Sequence, residues 1–192
     1  MSSHSIVSNR FKDKIDDLNL KRRPKISKIL VTYFSQTENT EKIARAIYES
    51  LEREKTIKPI DEVQDLSEYN VVFIGFPVHS HGVPFKIESF LEKIPQGKKI
   101  ALFSTHGSLK GSHLSHKALE HAAVLASKAK VLGTFSCRGR VSPDALEFLS
   151  KSPEHKVWAE MAASARTHPD DKDIEDAQSF AREIMILSVQ DI

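Results

Sequence analysis

Between a short apolar run and a helix-like stretch, Ser35-Gln36-Thr37-Glu38-Asn39-Thr40 gathers three hydroxyls and an asparagine. The run before it, Ile29-Leu30-Val31-Thr32-Tyr33-Phe34, reads as a buried strand. The stretch after it carries Ile43, Ala44, Ile47, Tyr48 and Leu51 at three-and-four spacing, which predicts a helix over 40–55. At such a junction side-chain donors, unpaired N–H groups and the positive end of the helix dipole meet at one point. The ligand that suits them is an anion, and a phosphate above all. A lone cap at Asn39 or Thr40 would serve the helix without any ligand; four small polar residues exceed what a cap needs.

Two later loops add groups of another kind. Pro77-Val78-His79-Ser80-His81-Gly82 follows the apolar run Val71 to Phe76, and Thr105-His106-Gly107-Ser108 opens a loop that reaches His113. Both are rich in Gly, Ser and His and neither contains an acid, so their backbone can approach a flat ligand and offer it N–H groups. Four histidines in two loops raise the question of a metal. His79-x-His81 lacks an evident third ligand, and His113 and His116 suit a solvated face as well as ligation, so no metal is expected. No catalytic residue stands out. There is no Gly-x-Ser-x-Gly elbow, and the single thiol, Cys137, ends a strand beside Arg138-Gly139-Arg140. Those guanidinium groups could activate it, but a buried structural cysteine is the simpler reading.

The elements that position these loops follow from periodicity. Apolar runs at 29–34, 71–76, 99–105 and 131–137, with a shorter run at 56–60 that Pro59 confines to an edge, predict five strands. Helical patterns separate and follow them: 84–94 with Phe85, Ile87, Phe90 and Leu91 inward, then 114–128, 143–149, 154–166 and 174–187. The last carries the stripe Ile174, Ala177, Phe180, Ala181, Ile184 and Leu187. Such alternation specifies an α/β fold, a doubly wound five-stranded parallel sheet of order 2-1-3-4-5 with helices on both faces and the ligand beyond the C-terminal strand ends. Residues 26–192 make up this domain. Residues 1–25 stand apart as an appendage, in which Phe11, Ile15 and Leu18 mark either a short amphipathic helix or an arm unfolded in isolation.

Charge divides along the same boundary. Residues 1–28 hold eight Lys or Arg against three Asp, a surplus of +5 in a chain of net +2, which leaves −3 on the rest. The basic run Lys21 to Lys25 has no interleaved aromatics, so nucleic acid is not an expected partner. No run of 18 apolar residues occurs and the start lacks an apolar signal core. The expectation is a cytoplasmic protein without membrane contact, monomeric or weakly dimeric.

The loop Ser35 to Thr40 resembles the flavodoxin phosphate-loop pattern Thr/Ser-x-Thr-Gly-Asn-Thr, in that family's position after the first strand. The likeness extends through Val71 to Gly82 and Ile100 to Gly107 and covers the element order from Ile26 to Leu187. Phe135-Ser136-Cys137-Arg138-Gly139, with His168-Pro169-Asp170-Asp171, resembles a subgroup of single-domain flavodoxin-like proteins. The resemblance implies FMN held noncovalently, its phosphate on Ser35, Gln36, Thr37, Asn39 and Thr40 with Glu38 among them. The isoalloxazine ring is then expected between Pro77, Val78, His79, Ser80, His81 and Gly82 on one side and Thr105, His106, Gly107 and Ser108 on the other. Two departures bear on affinity. Glu38 stands where the pattern has Gly, and the loops lack the Trp and Tyr that commonly sandwich the flavin, leaving His79, His81 or His106 as the only rings. A protonated imidazole beside the ring would raise the flavin's potential.

The resemblance implies an electron carrier between a reductase and an acceptor enzyme, with redox proteins as partners and no acid or base of its own. The alternative is an FMN-dependent reductase or oxidase acting on a small aromatic of quinone or tetrapyrrole type, a loop histidine donating the proton. A non-redox phosphate-binding module of similar topology would need an acidic cluster at the strand ends, which these loops lack.

Overall fold

Residues 28–190, apart from 80, 81, 110, 112 and 152, are described by a computed structural model. Five strands, β1 (Ile29–Tyr33), β2 (Lys55–Pro59), β3 (Val71–Pro77), β4 (Lys99–His106) and β5 (Lys130–Arg138), pair in parallel in the order β2-β1-β3-β4-β5. This is the doubly wound order expected from the alternation of elements. The helices are α1 (Asn39–Ser50), α2 (Phe85–Leu91), α3 (His113–Leu125), α4 (Pro143–Ser150), α5 (Lys156–Ala163) and α6 (Asp171–Val189). None is long and apolar enough to cross a membrane. The expected appendage, residues 1–25, lies outside the described residues.

Successive strand residues point to opposite faces, so the sheet carries two cores. Leu30, Val72, Ile74, Phe76, Ile100 and Leu102 pack beneath α2 and α3; Ile29, Val31, Val71, Phe73, Ala101 and Phe103 pack beneath α1 and α6. Burial on both faces is what continuous apolar runs require. At Gly75 a Cβ would stand 2.2 Å from the Phe103 ring, so only glycine lets β3 and β4 pack there.

Several boundaries depart from the periodicity. α1 ends at Ser50 rather than near 55, because Lys55 Nζ, at the start of β2, donates to the carbonyls of Tyr48 (2.7 Å) and Leu51 (2.6 Å) and closes the helix end with a cation. α2 spans a shorter stretch than 84–94. Pro84 is its extended N-cap, and Phe85, expected inward, is 81% exposed, because the buried face begins only at Ile87. Leu187 is likewise exposed at the end of α6, beyond the last residue that meets the sheet. Pro77 closes β3 as its final residue, where no further ladder donor is needed. β5 is uninterrupted, and α4 and α5 follow it as a helical pair before α6.

Candidate functional site

The loops leaving β1, β3, β4 and β5 share one rim and line a cleft of about 240 Å³. Gln36, Thr37 and Asn39 come from the first, Pro77, Val78 and His79 from the second, and Thr105, His106 and Gly107 from the third. The fourth side consists of the segment after β5, Gly139 to Ser142, with Ala145 of α4 and Trp158 of α5. Sequence reasoning missed this side. Trp158 corrects the expectation that histidines are the only rings available: the indole arrives from the helical pair beyond β5. The helical pattern at 154–166 predicts the helix, but nothing in it marks Trp158 as facing the cleft.

The cradle has a glycine-like backbone without the glycine. Glu38 adopts φ 62, the left-handed region that glycine enters without strain, and its side chain is exposed. α1 starts there with Lys42 N–H donating to the Glu38 carbonyl at 2.8 Å, and no side chain caps it. The first-turn N–H groups therefore need an acceptor from elsewhere. Ser35 Oγ is buried and has no hydrogen-bond partner. The side chains of Asn39 and Thr40 are engaged within the protein, so what these two residues offer an anion is their backbone N–H groups. Asn39 Nδ2 donates to Thr37 Oγ1 (2.8 Å) and to the Arg140 carbonyl (2.7 Å), and Thr40 Oγ1 shares a bond with Thr105 Oγ1 (2.8 Å). Backbone N–H groups with the hydroxyls of Ser35 and Thr37 remain, and this donor set fits a phosphate.

His106 is 5% exposed; its Nδ1 bonds Ser108 Oγ at 2.8 Å, and its Nε2 is buried without a partner. Burial, the largest influence, pushes its pKa from 6.5 down to about 4, so the ring is neutral at neutral pH. The protonated imidazole that would raise a flavin's potential is thus not found at this position. Burial also lowers the pKa of His79, which stands edge-on to Phe34 with centroids 6.2 Å apart and closes its backbone on Gly82 (3.0 and 2.7 Å). Gly82 and Ser108 do not line the cleft themselves; each bonds a histidine that does, His79 and His106 respectively. Ser80 and His81 lie outside the described residues.

The β5 loop ties the site together. Gly139 N–H donates to the His106 carbonyl (2.8 Å) and Arg140 N–H to the His168 carbonyl (2.9 Å). A Cβ on Gly139 would meet the Asn39 side chain at 3.0–3.1 Å. Arg138 reaches the Ser108 carbonyl (3.1 Å), the Met161 carbonyl (2.9 Å) and Ser164 Oγ (2.7 Å), anchoring the end of α5 to the β4 loop. Cys137 is fully buried beneath it.

Arg140 also lines a second, basic cleft of about 430 Å³, with Lys42, Arg45 and Arg166. Beside it His168 Nδ1 meets Asp173 Oδ2 at 2.5 Å, and Asp170 and Asp173 exchange backbone bonds as the capping box of α6. These three residues are close enough to hold a metal, but their atoms satisfy one another as a helix cap.

The flavodoxin domain model matches residues 30–182. The chain is 33% identical over 171 residues to the flavodoxin-like domain-containing protein BilS of Clostridioides difficile, covering 83% of this chain and 97% of that protein. Among solved structures it resembles a short-chain flavodoxin associated with a non-canonical PDU bacterial microcompartment, with TM-score 0.60, 14% identity and coverage of 84% and 99%. Oxidised Flavodoxin 2 from Bacillus cereus gives TM-score 0.55, 22% identity and coverage of 83% and 99%. The order of the sheet, the uncapped cradle after β1 and these matches agree, and the chain belongs to the flavodoxin domain family.

Proposed function

We propose that this chain is an FMN flavoprotein that works as a one-domain electron carrier between a reductase and an acceptor enzyme, as a monomer or weak homodimer in the cytoplasm. Family membership makes FMN the cofactor, and the uncapped first turn of α1 with the orphaned Ser35 hydroxyl supports the cradle as its phosphate site. Bound FMN supplies the redox chemistry. The chain binds the phosphate through Ser35, Thr37 and backbone N–H groups, and offers His79 and Trp158 as ring neighbours.

The observation that carries the carrier reading is the make-up of the cleft wall. Among the described residues it holds no carboxylate, and burial keeps the His106 imidazole neutral at neutral pH and lowers the pKa of His79 as well. A proton-transfer enzyme needs an acid or base that titrates near the working pH, whereas a carrier needs only a ring held at the rim. A second reading, a reductase or oxidase of small aromatics, is favoured by α4 and α5. They bring Trp158 to the cleft and leave Phe148 and Val157, 74% and 77% exposed, as apolar surface on the same helical pair. Mixing the FMN-loaded protein anaerobically with NADH or NADPH separates the two. A carrier keeps its oxidised flavin spectrum until a reductase is added; bleaching by the nicotinamide alone, followed by turnover with a quinone, selects the enzyme.

A further inference from the structure

Arg140 stands where the two clefts meet. Its backbone is fixed on both sides, by the His168 carbonyl and by Asn39 Nδ2. Its side chain is exposed, lines both clefts, and makes no hydrogen bond or ion pair among the described residues. Neighbouring cations are engaged: Arg45 holds Glu41 at 2.6 Å, and Lys42 donates to the Pro169 carbonyl at 2.6 Å. Arg166 is exposed and also without a partner among the described residues, but it lines the basic cleft alone.

The cradle has the complementary shortage. A phosphate monoester carries nearly two negative charges at neutral pH, while a helix end offers only about half a positive one. The loop 35–40 contains no cation, Glu38 adds a carboxylate, and the side chains of Asn39 and Thr40 are already bonded within the protein. A guanidinium meets phosphate oxygens with paired, charge-assisted bonds, which suits Arg140 at the border of the cradle.

Resting on the FMN reading above, we infer that Arg140 supplies the charge that meets the phosphate. The chain then distinguishes FMN from riboflavin through a guanidinium on the β5 loop in addition to the Ser35 and Thr37 hydroxyls and the backbone N–H groups of the β1 loop.

The test is to titrate the flavin-free protein with FMN and separately with riboflavin, following flavin fluorescence, for the wild type, Arg140→Gln, Arg140→Lys and Arg166→Gln. Arg140→Gln is expected to weaken FMN about tenfold or more, the scale of one charge-assisted hydrogen bond, and to leave riboflavin unchanged. Arg140→Lys should recover part of the preference, and Arg166→Gln, a change of equal charge outside the flavin cleft, should cost much less. Equal weakening of both flavins would make Arg140 a prop for the Asn39 loop. Unchanged FMN affinity, or an equal loss in Arg166→Gln, would leave only the general field. Each of these three results overturns the inference and leaves the FMN reading standing. A wild-type chain that binds neither flavin overturns the FMN reading itself.

Discussion

At Glu38 the backbone departs most from what its side chain prefers. A left-handed conformation costs a non-glycine residue about 1–2 kcal/mol, and Glu38 holds φ 62 with an exposed side chain that makes no cap. Glu38→Gly is therefore expected to raise the melting temperature and tighten FMN by removing both strain and a carboxylate; an unchanged titration and melt would mean the strain is absent. Asn39 links two loops of the site. Its amide joins Thr37 to the β5 loop, so Asn39→Ala should lower stability by roughly 1–3 kcal/mol in the flavin-free protein as well as weakening FMN. A loss seen only with FMN present would return Asn39 to direct phosphate contact. His106 sets a pH dependence. Its folded pKa of about 4 lies below the unfolded value of 6.5, so the unfolded chain takes up the proton first. Its contribution, at most roughly 3 kcal/mol, is present above pH 6.5, declines as the pH falls and is gone below about 4. His106→Gln should flatten the fall in melting temperature between neutral and acid pH; an undiminished slope would assign it to other groups.

Among the elements, the order and type of strands and helices were legible because each strand buried on both faces is a continuous apolar run, and the cradle was legible because its polar residues are adjacent in the chain. Ends were less legible. The contact that stops α1 comes from Lys55, and the exposure of Phe85 depends on where α2 first meets the sheet. The fourth wall of the cleft was hidden for a related reason: Trp158 and Arg140 approach the β1 loop only through the fold, and no local pattern marks either one. The β5 loop can be tested as an element. Gly139→Ala would press a methyl against the Asn39 side chain at 3.0–3.1 Å and displace the loop that carries Arg140. Weaker FMN binding with an unchanged fold by circular dichroism is expected; wild-type affinity would show that the loop gives without consequence.

For the molecule as a whole, residues 28–190 already contain both cores, the cradle and all four walls of the cleft. Lys28 enters the sheet at the N-terminal end of β1, the end opposite the rim, and its partners there are Glu54 and Glu68, at 3.3 and 2.8 Å. These exposed pairs contribute little, and nothing in them reaches the cleft. A chain starting at Lys28 should therefore bind FMN as the full chain does. Removing residues 1–27 deletes seven Lys or Arg and three Asp and so shifts the net charge from +2 to −2. Charge of that size acts on encounter with a partner more than on a cofactor held in the fold, and its action is screened by salt. The expected result is equal FMN titrations for the two chains, but a different ionic-strength dependence of flavin reduction by an added reductase. Loss of FMN in the shortened chain would make residues 1–27 part of the folded unit, and identical salt dependence would remove them from docking.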